Sequence, residues 1–150
     1  MVELSAGILL YRRAPGLEVF IGKMGGPFWA RKDAAAWSIP KGLYTDEEPL
    51  AAALREFAEE IGAPAPEADY TLLGEFRQPS GKRLTVFAAE AEAAFVASNT
   101  FEVEWPPRSA RMQQFPEIET AQWFDLDTAR EKLVKGQLPI LDSILSAVSG

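Results

Sequence analysis

Three glutamates, Glu56, Glu59 and Glu60, stand three and four residues apart within PLAAALREFAEEIG, residues 49–62. On a helix that spacing gathers their carboxylates onto one strip, where like charges cost roughly 0.2–0.5 kcal/mol per pair. A hard divalent cation offsets such a cost. Mg²⁺ takes oxygen ligands and keeps several waters, which suits a phosphate-bearing partner. A Glu-rich helix face is ordinarily solvated surface, and charge patterning alone is a weak cue. The surroundings favour the chemical reading: Arg55 adjoins the cluster, Glu47 lies eight residues before Arg55, and a Pro40-Lys41-Gly42 turn comes first.

A helix must carry these side chains. Leu50, Ala53, Leu54, Phe57 and Ile61 recur at three- and four-residue steps, so they share one face and predict a buried side opposite the carboxylates. Pro49 suits a first turn, Thr45 and Asp46 are natural N-caps, and Gly62 followed by Pro64 stops the helix.

At these residues the chain resembles the Nudix hydrolase family. Its signature runs Gly, five residues, Glu, seven residues, then Arg-Glu-(aliphatic)-x-Glu-Glu-x-Gly-(aliphatic). Gly42, Glu47, Arg55, Glu56, Glu59, Glu60 and Gly62 match, Phe57 and Ala63 fill the aliphatic places, and only four residues separate Gly42 from Glu47. The missing residue falls in a turn, where deletions are best tolerated, and reads as a tightened loop.

The resemblance implies an α/β fold, the Nudix α/β/α sandwich with a central mixed β-sheet flanked by helices, as one domain over residues 1–150. It also implies divalent-metal-dependent hydrolysis of a phosphoanhydride bond, with Mg²⁺ as cofactor and Mn²⁺ as a substitute. Glu56 and Glu60 are then the firmest metal ligands, joined by the main-chain carbonyl of Lys41. Glu59 is a ligand or the base, and Arg55 orients the carboxylates by pairing with Glu47. Several family members draw a base from a loop near the last strand; here that residue is Glu117, six before Trp123, with Glu119 and Glu104 next in order.

Composition narrows the alternatives. A chain of 150 residues is large enough to bury about 68–70% of its unfolded surface without staples. It contains no cysteine and no histidine, which removes disulfides, thiolate sites, Ser-His-Asp catalysis and the usual zinc ligands. Acid-base work is left to Glu, Asp, Lys or Tyr. The start lacks the layout of a signal peptide and no apolar run spans a bilayer, so a cytosolic protein without membrane contact is expected. A net charge of −7 argues against nucleic-acid partners, whose binding rests on basic patches. The expected partner is a small-molecule nucleotide. The sequence leaves the oligomeric state open, a homodimer included.

Along the chain, Ser5–Arg12 and Glu18–Lys23 read as hairpin strands. The loop Met24–Ala36 carries Phe28, Trp29, Arg31 and Lys32; such aromatics beside cations either stack a base and hold phosphates or plug the core. Trp37–Ile39 is a brief strand, and the Lys41 side chain beyond it is a second phosphate candidate. Tyr70–Arg77 and Arg83–Glu92 form strands joined by Gln78–Lys82, where Lys82 is either a solvated hairpin end or a phosphate contact. After Phe101–Trp105, Pro106 and Pro107 predict an extended loop in which Arg108 and Arg111 either face the polyphosphate or are ordinary surface arginines. Ala121–Phe124 is the last strand. Leu126–Lys135 and Leu138–Val148 are helices capped by Asp125 or Asp127, with Leu133, Leu138, Leu141 and Leu145 in the core.

For substrate, WSIPKG resembles the diadenosine-polyphosphate and diphosphoinositol branches, and FEVEWPPRS resembles a bacterial group of NTP pyrophosphohydrolases. A nucleoside or dinucleoside polyphosphate is therefore expected. Pro79, sixteen residues after Ala63, favours ADP-ribose or a nucleotide sugar as the alternative. A nucleotide-sensing Nudix module that does not cleave is the reading of another class, disfavoured by the intact carboxylates. An RNA-processing hydrolase is disfavoured by the acidic balance.

Overall fold

The computed structural model describes residues 2–149. Strand β1, Leu4–Arg13, is buried from Ser5 to Leu10. This is an unbroken run, as befits a strand covered on both faces. Ile8 and Leu10 meet Phe20, Phe57 and Ile61 on one side of the sheet. Leu9 meets Val19, Ile21, Ile140 and Leu141 on the other.

Seven strands make the mixed sheet. They are β1, β2 (Leu17–Met24), β3 (Trp37–Ser38), β4 (Lys41–Leu43), β5 (Thr71–Arg77), β6 (Arg83–Glu90) and β9 (Ile118–Asp125). Residues Leu4 to Tyr11 of β1 pair in parallel with β6, which fills one edge. Its other edge is shared: Tyr11–Arg13 pair with β2, and Ser5–Gly7 pair with β4. In the same way β9 runs along one edge of β2, while the other edge is divided between β1 and β3. β1 and β2 therefore splay apart, and residues 37–43 are wedged into the notch. The Ile8 N–H bonds the Pro40 carbonyl at 3.0 Å inside it. That wedge sets the Lys41 turn.

Helix α1, Pro49–Ile61, covers one face of the sheet. Helices α2, Leu126–Lys132, and α3, Leu138–Ser149, cover the other, giving the α/β/α sandwich. A separate hairpin is formed by β7 (Thr100–Glu104) and β8 (Met112–Pro116). Among the described residues no helix is long and apolar enough to cross a membrane.

Several expectations need correction. The N-cap of α1 is Glu48, which makes no side-chain cap bond, and neither Thr45 nor Asp46 fills that place. Pro49 already supplies a helix-ready φ and lacks one orphan donor, so less capping is required. The segment after Trp105 is the tip of a hairpin and not an extended loop, because Met112–Pro116 pairs back onto β7. The last strand runs Ile118–Asp125, longer than 121–124. The helix starting at Leu126 ends at Lys132, and Lys135–Gln137 is a separate 3₁₀ turn. Leu145, expected in the core, is exposed, whereas Leu133 and Leu141 are buried. The Asp125 cap is present, with Thr128 N donating to Oδ1 at 2.7 Å, as is the left-handed C-cap at Gly62 (φ 88°).

Candidate active site

Helix α1 turns its carboxylates toward the notch, and they are not a solvated strip. Glu60 is only 8% exposed. Its Oε1 accepts the Lys41 main-chain N–H at 3.2 Å. Burial above all pushes its carboxyl up to about 8, against the pull of the Lys41 N–H and with Glu56 and Glu117 adding to the rise. Glu56 is held above the usual carboxylate range by burial first and by Glu59 second. Its carboxylate lies over Gly42, in the space a Cβ would take, so any larger residue there would displace the Glu56 carboxylate.

Arg55 organises the outer side. Its Nε and Nη2 reach Glu47 at 2.6–3.0 Å, and Nη1 reaches both oxygens of Glu59 at 3.2 and 3.3 Å. These bonds raise the guanidinium pKa and lower that of Glu47. Arg55 Nη1 also lies 3.5 Å from Glu56 Oε2, near enough for attraction. That oxygen is nonetheless buried without a hydrogen-bond partner.

Glu117 arrives from the far side, between β8 and β9. Residues 96–99 strap it to the helix: Val96 N and Ala97 N bond the Ile61 carbonyl, Asn99 N bonds the Glu59 carbonyl, and Glu117 N bonds the Asn99 carbonyl, all at 2.9–3.1 Å. Gly25 N then holds the Glu117 carbonyl at 2.8 Å. Burial pushes the Glu117 carboxyl up, Glu59 adds to the rise, and Lys41 opposes it. Lys41, Glu60 and Glu117 thus share one cleft with Trp29 and Phe101, of about 370 Å³. Trp29, Ser38 and Lys41 also border an adjoining depression of about 520 Å³, with Lys82 and Pro79 at its rim.

The structure brings together Lys41, Glu47, Arg55, Glu56, Glu59, Glu60 and Glu117, with Trp29 and Lys82 beside them. Arg31 lies in a neighbouring depression with Phe28 and Trp105. Arg108 and Arg111 are exposed at the β7–β8 tip and border none of these hollows. The two reserve bases are otherwise engaged. Glu104 accepts from Arg108 N and Ala110 N at 3.2 and 2.9 Å, which holds two left-handed residues of the tip, and Glu119 pairs with Lys23 at 3.1 Å.

Sequence reasoning passed over Gln137. This side chain is fully buried; its Oε1 accepts from Ile39 N at 3.0 Å and its Nε2 donates to Ser38 Oγ at 2.8 Å. It pins the wedge just ahead of Lys41. A polar residue in an apolar C-terminal stretch was the sole hint. Another hollow, about 390 Å³ between β5 and α3, is lined by no charged side chain.

The donor set fits a hard cation. Among the described residues no three acidic side chains already enclose one point. Mg²⁺ does not need that, since it binds through one or two carboxylates and retains waters. A buried, unpartnered carboxylate oxygen beside a second buried carboxyl is the arrangement an ion explains best.

Compared with known families, the chain matches the NUDIX domain over residues 1–144. It is 27% identical to an RNA pyrophosphohydrolase of Rhodospirillum rubrum, over 98% of this chain and 92% of that one. Among solved structures, it is similar to a C. elegans Ap4A hydrolase binary complex, at TM-score 0.67 and 19% identity, covering 97% of this chain and 98% of the other. The NUDIX domain of Shewanella oneidensis NrtR complexed with ADP ribose also superposes at TM-score 0.67, with 17% identity over 99% and 89% of the two chains.

Proposed function

The chain belongs to the Nudix family of hydrolases, which act on acid anhydrides, and from that premise we propose that it cleaves a phosphoanhydride bond of a nucleoside or dinucleoside polyphosphate. One observation carries the reading: the Glu56 carboxylate, with one oxygen buried and unpartnered, and the buried Glu60 carboxyl both meet the Lys41–Gly42 turn, and Glu60 lines a cleft that also holds Glu117. Glu56, Glu60 and the Lys41 carbonyl would hold Mg²⁺, or Mn²⁺ in its place. When bound, the ion neutralises phosphate oxygens and makes a nearby water a better nucleophile.

The protein's own groups do the rest. Water attacks one phosphorus, the bridging P–O bond breaks, and the oxygen of the leaving phosphate departs with the electron pair. Glu117 takes the proton of the attacking water. Its raised pKa brings it nearer to neutrality, where a general base works best. Glu59 is less suited, because Arg55 grips both of its oxygens. Arg55 and Glu47 set the orientation of the ridge, as outer partners of metal ligands commonly do. Lys41 and Lys82 offer ammonium groups to the phosphate chain, and Trp29 offers a face to a base.

A substrate panel tests this. Dinucleoside tetraphosphates, nucleoside triphosphates, ADP-ribose and 5′-triphosphorylated RNA are incubated with Mg²⁺ in ¹⁸O-water, and products are weighed by mass spectrometry. The reading expects turnover of the first two classes, with one ¹⁸O in a phosphate product. The related RNA pyrophosphohydrolase and the neighbour holding ADP ribose make the other two arms the sharp alternatives. Tight nucleotide binding with no product from any of the four would make the chain a sensor.

A further inference from the structure

Next to the catalytic cleft lies a depression of about 550 Å³, bordered by Phe28, Arg31, Lys32 and Trp105, that hydrolysis at the glutamate ridge leaves without a role. Phe28 is 61% exposed, although a large apolar ring is ordinarily buried. It meets Trp105 edge to face, with centroids 5.7 Å apart and planes at 74°. Two rings set nearly at right angles form a corner. A flat heteroaromatic base stacks on one ring while its rim meets the other.

The corner is built from two elements, each fixed by its own bonds. Trp29 N to the Gly26 carbonyl (3.2 Å) and Lys32 N to the Trp29 carbonyl (2.9 Å) fold the turn that carries Phe28. Lys23 Nζ holds that same Trp29 carbonyl at 2.9 Å. On the hairpin, Trp105 N bonds the Arg111 carbonyl at 2.9 Å and Gln113 Nε2 bonds the Trp105 carbonyl at 2.6 Å. Such a site pays little ordering entropy on binding.

Charge points the same way. Among the described residues Arg31 and Lys32 form no ion pair in a chain of net charge −7. The acids nearest in sequence are used elsewhere: Asp33 by Lys132 and Trp37, Glu104 by the hairpin backbone. The depression is separated from the catalytic cleft by one side chain, Trp29. Trp29 borders the cleft that holds Glu60 and Glu117, and Lys32 Nζ, on the other side, lies 5.4 Å from its ring centroid.

We propose that this corner is a second base site, holding the distal nucleoside of a dinucleoside polyphosphate whose phosphate chain passes Lys32 and Arg31 on its way to the Glu56–Glu60 ridge. It rests on the hydrolase reading for the identity of that ridge. The test uses two readouts. In protein labelled with ¹⁵N at its four tryptophans, the Trp105 indole signal is identified by its loss in Trp105→Phe. It shifts on titration with a methylene-bridged dinucleoside tetraphosphate and stays still with a nucleoside triphosphate. In kinetics, Phe28→Ala and Trp105→Ala each raise KM for the dinucleoside tetraphosphate about tenfold, the loss expected for one stacked base. The value of kcat holds, KM for the triphosphate stays within about twofold of wild type, and Phe28→Tyr restores the original value. Unchanged signals from the other three indoles certify the fold. A still Trp105 signal, equal KM increases for both substrates, or a shift with 5′-triphosphorylated RNA alone overturns the base site. A Trp105 shift without turnover of any substrate keeps the site and overturns the hydrolase reading instead.

Discussion

Around the glutamate ridge every acid but Glu56 is held by hydrogen bonds: Arg55 holds Glu47 and Glu59, the Lys41 N–H meets Glu60, and Asn99 with Gly25 clamps the backbone at Glu117. In the adjoining hollows, Arg31, Lys32 and Lys82 form no ion pair among the described residues. The reacting end is set before substrate arrives, which is where misplacement costs most rate. The proposed recognising end keeps cations without a protein partner, free to meet the phosphates of a substrate. Changes to the first region should therefore act on kcat, and changes to the second on KM.

Glu60→Gln should give the largest effect. Its amide oxygen can still accept from Lys41 N, so circular dichroism and cooperative melting remain, while turnover falls at least about 10³-fold, or ~4 kcal/mol of barrier. Near-normal turnover would remove the ridge from the mechanism. Arg55→Lys comes next, because one ammonium cannot serve Glu47 and Glu59 together. Here kcat should drop about 10–100-fold with a matching loss of Mn²⁺ affinity in a titration; a pure KM effect would place Arg55 on the recognising side.

Stability against pH gives a smaller signal. The folded chain keeps a proton on Glu60 up to about 8, whereas the unfolded chain releases it near 4.5. Between those values the folded state binds more protons, so its stability falls as pH rises. In chelator the Tm should drop by at least about 2 °C across that window, as ~1 kcal/mol does in a domain of this size. Glu60→Gln should flatten the slope, and Mg²⁺ should oppose it. A flat wild-type curve would mean that Glu60 is ionised without metal. Lys82→Ala should do least, raising KM up to about fivefold, with kcat intact and the effect fading in high salt; a loss in kcat would erase the distinction between the two sides.

What could be read in advance follows from where each cue resides. The wall of α1 was legible because Ala53, Phe57 and Ile61 repeat at helical spacing, and β1 because both of its faces are buried. The carboxylate spacing lies within one helix, so it survives in the linear string. Gln137 does not, since Ile39 and Ser38 stand 98 and 99 residues away. The strap through Asn99 is equally non-local. β8 is not legible because MQQFP, exposed along most of its length, lacks apolar alternation and ends in proline. Which hollow Arg31 borders cannot be read from the string, because a side chain's direction within a thirteen-residue loop depends on the bonds that fold it.

The notch between β1 and β2 has a consequence for synthesis. The turn that meets Glu60 is stapled on one flank by the first strand and on the other by Gln137, near the opposite end of the chain. A nascent polypeptide emerging from the ribosome carries Glu56, Glu59 and Glu60 long before Gln137 is made. Competence should therefore arrive abruptly and late, once the last helices have cleared the exit tunnel.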